Sequence, residues 1–350
     1  VTTSIEQRKT DHIDLCAEGD VGFLAKTTLL EEVELEHDAL PELSYDELDL
    51  RVTLFGKTLR APLVIAAMTG GTPRAGEINR ALAEIAEKRG YGFGLGSQRA
   101  MLRRAESAES YRVRAHAPTT LVLGNLGGVQ AAGMSTSEVA ELVAQVSADA
   151  LCVHLNPAME LVQPGGDRDF KGVLGALERL SRELGVPVVA KETGSGLGSR
   201  AVKKLARAGV RHVDVSGAGG TSWVAVEMHR ATGGERALGE ALRDWGVPTA
   251  ASIALCRRAR PKLETIIATG GISSGLDVAR ALALGASAAG IARPVLQAFT
   301  TGGAEGALRY LDGVEAELRA VMLLVGAKTP AKLGRVPRVL GPRLARWLDA

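Results

Sequence analysis

Residues 188–223, VVAKETGSGLGSRAVKKLARAGVRHVDVSGAGGTSW, decide the fold. A short apolar run ends abruptly at Lys191 and opens into a glycine-rich loop. A helix-like segment over 199–207 follows, closed by Gly209, and a second apolar run, 212–215, opens into a second glycine-rich loop, 217–220. This is a β-α-β unit with small and polar residues at the carboxyl end of each strand. Parallel strands need such a crossover, and barrels built from these units carry their chemistry on those loops. A single glycine-rich loop is read as a tight turn; the same arrangement at nearly every strand end points to a site.

Moving outward, the rhythm repeats from Pro62 onward. Strand candidates are LVIAAM (63–68), GFGLG (92–96), TLVLGN (120–125), ALCVHL (150–155), PVVAKE (187–192), HVDVS (212–216), TIIATGG (265–271) and SAAGIA (287–292). All are two-sidedly apolar, as strands covered on both faces should be. Between them lie helical patterns such as AGEINRALAEIAEKRG and SGLDVARALALG, several of which start at Ser or Thr and end at Gly. The expectation is an α/β fold, a (β/α)8 TIM barrel over 62–325, with an open doubly wound sheet as the fallback. TAASI (249–253), a ninth apolar run, is placed in the loop before the seventh helix. Residues 1–61 read as a polar, irregular, acidic N-terminal arm with a small hairpin near Val52-Thr53-Leu54. The segment 303–325 reads as helix. The basic tail 326–350 reads as the end of that helix plus a surface segment, with an oligomer contact possible.

Charge is balanced, 42 Lys and Arg against 40 Asp and Glu, so bulk electrostatics make no case for nucleic acid or a membrane surface. Clusters such as Arg103-Arg104 and Arg257-Arg258 are read as solvated helix faces. The three cysteines, Cys16, Cys152 and Cys256, are far apart, which fits a reducing cytosol. With no signal-peptide core and no run of about 20 apolar residues, a soluble cytoplasmic protein is expected.

The loops carry the chemistry. Thr269-Gly270-Gly271-Ile272 and Gly290-Ile291-Ala292-Arg293-Pro294 follow strands seven and eight, where barrels often bind phosphate through backbone N–H groups. Met68-Thr69-Gly70-Gly71, Gly96-Ser97-Gln98-Arg99, Asn125 and Lys191 end strands one, two, three and five, and suit a flat, partly polar ligand over the barrel mouth. Flavin mononucleotide, with one phosphate, meets these demands. Core filling explains Met68 but not Lys191, since an unpaired buried ammonium is costly. The fourth strand end, HLNPAMELVQPGGDRDF, gathers His154, Asn156, Glu160, Gln163 and Asp167. Glu160 suits Mg²⁺ beside phosphate and equally suits a helix start paired to Arg. From spacing alone, RKTDHI (8–13) is compatible with a helix cap or a solvated face.

Taken together and in order, RKTDHI, MTGG, GSQR, GNLG, HLNP, KETGSG, SGAGGTSW, TGGI and GIARP resemble the type 2 isopentenyl-diphosphate isomerases over nearly the whole chain. The resemblance implies a (β/α)8 barrel assembled as a homo-oligomer, a tetramer or larger. It implies FMN used reduced, NADPH as reductant, Mg²⁺ on the substrate diphosphate, and interconversion of isopentenyl and dimethylallyl diphosphate. By that resemblance Met68, Thr69, Gly70, Ser97, Asn125, Lys191, Ser216, Thr221, Gly270, Gly271, Ile272, Ala292 and Arg293 would hold the flavin. Arg8, Lys9 and Arg99 would hold the diphosphate, with Ser97, Gln98, His154, Asn156 and Met159 also on the substrate side and Glu160 on Mg²⁺. Lys191, His154 and Trp223 would be catalytic, Trp223 facing the hydrocarbon end, where an aromatic face steadies positive charge; a plain buried aromatic is its other reading. One position departs from the family pattern: Met159 stands where Gln is usual, and a thioether carries no proton. Other FMN barrels, of the 2-hydroxy-acid oxidase or inosine-monophosphate-dehydrogenase type, and a non-catalytic flavin or prenyl-diphosphate binder are the rival readings. The loop SGAGGTSW lacks the cysteine nucleophile that the dehydrogenase type requires.

Overall fold

The computed structural model describes residues 5–102 and 104–349; Arg103, half of one expected cationic pair, lies outside them. The eight apolar runs form eight parallel strands: β1 (Leu63–Ile65), β2 (Gly92–Gly94), β3 (Val122–Gly127), β4 (Ala150–Leu155), β5 (Val188–Glu192), β6 (His212–Asp214), β7 (Thr265–Ala268) and β8 (Ala288–Ile291). Each pairs with the next and β8 closes on β1, a complete barrel. Nearly every barrel-strand residue is buried, because the interior is filled by side chains and the outside is covered by helices.

The outer helices begin where the cap residues stand. Thr72 accepts the Ala75 N–H ahead of Pro73–Arg89, and Ser135 and Ser274 form reciprocal capping boxes with Glu138 and Asp277. Gly90, at φ 66°, ends the first of these helices in a left-handed turn that a side chain resists.

Three regions differ from expectation. TAASI is the start of a helix, Thr249–Arg257, on the β6-to-β7 crossover. It is apolar all round because it is packed between the barrel and the helices Ser199–Arg207 and Pro342–Asp349. The N-terminal arm is not irregular: Ile5–Glu18 is a helix, with Ile13, Cys16 and Ala17 buried at helical spacing. The expected hairpin is present as Val52–Leu54 against Lys57–Leu59. The tail is not a surface appendage. Its strand Arg338–Leu340 pairs antiparallel with Val33–Leu35 of the arm, and Leu333 and Leu344 are fully buried. The helix Arg293–Leu324 covers the expected 303–325 segment and starts directly after β8, with a kink at Gly302 and Gly303.

Candidate active site

The carboxyl ends of the strands surround a cavity of about 390 Å³, roofed by the N-terminal helix Ile5–Glu18 through Arg8, Lys9, His12, Ile13 and Cys16. Its floor is the barrel interior. Parallel pairing sets His154 on β4 beside Lys191 on β5, and Lys191 beside Asp214 on β6, so the three stand in register on adjacent strands. The Lys191 ammonium is paired: its Nζ lies 3.0 Å from Asp214 Oδ2, and Thr269 Oγ1 donates to Asp214 Oδ1. That pairing is how the fold tolerates a buried lysine.

On β4, His154 Nδ1 lies 2.9 Å from Asn125 Oδ1, an acceptor, which puts the imidazole proton on Nδ1 and leaves the Nε2 lone pair free. Burial, then the charges of Lys9, Lys191 and Arg99, push His154 down to about 3, so it is neutral. Just beyond β4, the short helix Pro157–Val162 carries Glu160. Its Oε1 accepts from Asn156 Nδ2 at 2.9 Å, and its Oε2 accepts from Gln163 Nε2 at 3.1 Å and the Asp167 amide at 2.7 Å. The thioether of Met159 lies 3.8 Å from the same Asn156 Nδ2.

Positive charge converges from two elements. Lys9 is buried without a hydrogen-bond partner among the described residues, and burial followed by the charges of Arg8 and Arg99 pushes it down to about 8. Arg99, on the loop after β2, lies 3.4 Å from Asp167 and 3.9 Å from Glu160. A separate network pins the roof: His12 Nε2 lies 2.7 Å from Glu227 Oε1, Arg230 bonds both Glu227 and Asp11, and the His12 and Trp223 rings meet edge to face, 5.2 Å apart. Burial acts to raise Glu227, but its bonds to His12 and Arg230 outweigh that and hold it below its usual value.

Most of the expected site residues meet in this one cavity. Met68, Thr69, Ser97, Asn125, Lys191, Ser216, Thr221, Gly270, Gly271, Ile272, Ala292 and Arg293 line it, as do Arg8, Lys9, Arg99, His154, Asn156, Met159, Glu160 and Trp223. Two expected residues do not. Gln98 is fully buried and turned into the fold, accepting the Asn125 N–H at 2.8 Å and donating to Leu142 O, so it supports Asn125 instead of touching a substrate. At Gly70 an added Cβ would stand 2.0 Å from the Tyr111 ring. Glycine there admits Tyr111, whose hydroxyl donates to Ser97 O at 2.7 Å. Arg293 is placed differently from expectation too: its guanidinium donates to Cys16 O and Gly19 O at the end of the N-terminal helix. A phosphate placed there would meet its backbone N–H, in the first turn of Arg293–Leu324.

His12, Gln130 and Thr193 line the cavity without an assigned role in the sequence, and Asp214, Glu227 and Arg230 stand behind its lining, paired to Lys191, His12 and Asp11. A carboxylate inside the apolar run HVDVS was a readable signal for Asp214; Glu227, on a helix, left none. Among the described residues, five buried side-chain atoms lack a partner, and three of them, Arg8 Nε, Thr69 Oγ1 and Thr193 Oγ1, belong to residues lining this cavity. Such groups are left for a polar ligand or water to satisfy. With a small-residue wall at Ala66, Ala67, Gly96 and Gly290, and an ammonium in the floor, the residues fit FMN.

Residues 2–123 and 156–337 match the FMN-dependent dehydrogenase family. The chain is 42% identical over 347 residues to the isopentenyl-diphosphate delta-isomerase of Methanothermobacter thermautotrophicus, covering 99% of this chain and 96% of that protein. It is 45% identical over 343 residues to the enzyme of that name from Synechococcus sp., covering 97% of each. Among solved structures, a flavocytochrome b2 variant with bound sulfite superposes with a TM-score of 0.67 at 20% identity, over 95% of this chain and 82% of that one. A mandelate oxidase variant with (S)-mandelic acid gives 0.65 at 17% identity, over 96% and 97%. At these identities the two structures speak for the barrel alone, while the sequence relatives go further: the chain belongs to the isopentenyl-diphosphate delta-isomerase family, built on the FMN-dependent dehydrogenase barrel.

Proposed function

We propose that the protein interconverts isopentenyl and dimethylallyl diphosphate with FMN held reduced in the barrel mouth, NADPH serving as the external reductant. The observation that carries this reading is the polarity of the cavity. Arg8, Lys9 and Arg99 supply cations, Trp223 supplies an aromatic wall, and Lys191 supplies an ammonium in the floor of the same cavity. A prenyl diphosphate has the matching anionic head and apolar chain.

In this reading Arg8, Lys9 and Arg99 grip the diphosphate, supplying binding energy remote from the reacting carbons. Met68, Thr69, Ser97 and Asn125 would hold the ring, and the N–H groups of 270–272 and 292–293 its phosphate. When bound and reduced, FMN supplies an electron-rich face and a proton-bearing nitrogen to the alkene. Lys191 would favour negative charge on the bound ring. His154, its Nδ1 held by Asn125, would offer a neutral imidazole in the cavity wall, and Trp223, held edge-on by His12, would screen developing positive charge from water.

Mg²⁺ on Glu160 belongs to the same proposal. The ion takes one or two carboxylates plus phosphate oxygens and water. The described residues contain no group of three His, Cys, Asp or Glu that could hold a metal unaided, so the substrate would complete the shell. A homo-oligomer is also part of the reading, supported by exposed Leu24 and Trp245 at the corner where Asp244 ties down residues 24–26. No helix among the described residues is long and apolar enough to cross a membrane.

The test is incubation of the FMN-reduced protein with isopentenyl diphosphate and Mg²⁺ in D₂O, followed by NMR. Dimethylallyl diphosphate and deuterium in both isomers are expected. Bound substrate with no label would move the protein to the non-catalytic reading, and a flavin reduced by a 2-hydroxy acid alone would move it to the oxidase reading.

A further inference from the structure

We propose that Asp214 is a positioning residue for the flavin site, acting through Lys191 to keep that side chain a fixed cation in the wall of the cavity. The inference rests on the FMN reading above and adds to it a residue that never touches the ligand.

Asp214 lies one layer below the cavity. Lys191 and Thr269 line the cavity itself, but Asp214 lines only a small void beneath it, among Val64, Leu95, Cys152 and Ile267. Its carboxylate is 4% exposed and fully engaged: Oδ2 takes Lys191 Nζ at 3.0 Å, and Oδ1 accepts from Thr269 Oγ1 and, at 3.3 Å, from the Ser216 amide. Lys191 Nζ lies 3.4 Å from the Thr269 hydroxyl as well. The arrangement is directional. β5 and β6 are in register at Lys191 and Asp214, so the carboxylate meets the ammonium from the neighbouring strand, while Lys191 itself lines the cavity.

The physical consequence concerns protons. A buried ammonium keeps its proton when an opposite charge stands against it and sheds it when that charge is removed. With Asp214 in place, Lys191 is charged before the ring is reduced. Two electrons and one proton then convert the ring to its anionic reduced form beside a cation already present. With asparagine in place of Asp214 that counter-charge is gone, and the buried amine is expected to shed its proton before reduction. Reduction by the same two electrons then draws two protons, one to the ring and one to the Lys191 amine, and the charges balance in both cases.

The experiment is a measurement of protons taken up per two electrons, from the dependence of the FMN midpoint on pH near about pH 8, with dithionite as reductant and with Lys9→Met in both proteins compared, so that the roof lysine adds no proton of its own. One proton is expected with Asp214 present and two for Asp214→Asn. A structural role alone would lower stability without changing this count, so a variant that still takes up one proton overturns the proposal. Should Asp214→Asn fail to fold, the double variant Asp214→Asn with Lys191→Met decides. Neutralising both members of a buried pair is tolerated far better than stranding one charge, so a folded, FMN-binding double variant supports the pairing. A double variant that is also unfolded overturns it and assigns Asp214 to the scaffold, through Thr269 and Ser216. A wild type that binds no FMN would instead sink the functional reading itself.

Discussion

Met159 sits in the cavity wall with its sulfur 3.8 Å from Asn156 Nδ2, while that same amide holds Glu160 Oε1 at 2.9 Å. Asn156 is thus oriented by the carboxylate, and the thioether is a soft neighbour that can pack along an apolar chain. The rest of the site is in place around it: Glu160 is fully bonded, His154 is neutral with its tautomer set, and Lys191 is paired. The wild type is therefore expected to be active with reduced FMN and Mg²⁺. Met159→Gln should change turnover by less than roughly tenfold, about 1.4 kcal/mol in the barrier. Glu160→Gln should be far worse, on the order of 10²-fold in kcat/KM, since hydrogen bonds to a charged group are each worth about 1.5–3 kcal/mol. The carboxamide would also set a donor against the Asn156, Gln163 or Asp167 donors. Steady-state assays of both variants check this; an inactive wild type restored by Met159→Gln would refute the reading of Met159 as a neighbour only.

At the scale of the element, the N-terminal helix decides whether the cavity is a closed site. It delivers Arg8, Lys9 and His12 to the mouth and is tied down at its middle by Arg230 on Asp11 and at its C-terminal end by Arg293 on the carbonyls of Cys16 and Gly19. Lys9 reports on this placement. Its ammonium is pushed from 10.5 down to about 8 by burial and by Arg8 and Arg99, so near about pH 9 it is mostly uncharged before ligand binds. A diphosphate set among these cations reverses the balance, and Lys9 regains its proton. Binding of isopentenyl diphosphate to the oxidised-FMN protein should then take up close to one proton at that pH, and almost none well below pH 8. Calorimetry in buffers of different ionisation enthalpy measures it, and Lys9→Met should abolish the uptake. Uptake unchanged in that variant would remove Lys9 from the diphosphate site. This helix was hard to read from sequence for a physical reason. Arg8, Lys9 and His12, which line the cavity, are polar and face inward, so they dilute the apolar spacing of Ile13, Cys16 and Ala17. The barrel strands were legible because both their faces are buried. Gln98 misled because its motif neighbours Ser97 and Arg99 do face the cavity, and alternation past a strand end does not say which way the middle residue turns.

For the molecule as a whole, the two chain ends form a brace that reaches the phosphate loops. Val33–Leu35 pairs with Arg338–Leu340, Arg343 bonds Glu31 and Glu32, and Leu344 is fully buried. Just before that strand, residues 27 and 28 press on the loops after β6 and β7. An added Cβ at Gly219 would stand 2.2 Å from the Thr28 amide, and one at Gly271 would stand 2.4 Å from the Thr28 side chain. Thr28 O also accepts the Ala250 N–H at 2.9 Å. The path therefore runs from the tail, through the arm strand, to the glycines that would cradle the flavin phosphate, and each step is a packed contact. Leu344→Ala removes the buried anchor of the last helix. A large-to-small change in a core costs about 2–5 kcal/mol, which lowers the melting temperature. Because the arm buttresses the loops, FMN affinity should fall as well, although residue 344 lies outside the cavity lining. Arg343→Ala, which cuts only half-exposed ion pairs, should do much less, since such pairs are worth about 0–1 kcal/mol. Thermal unfolding and FMN titration of the two variants test this together. A Leu344→Ala protein that melts earlier yet binds FMN as tightly as the wild type would show that the brace ends at the arm, and that the loops after β6 and β7 hold their shape on their own.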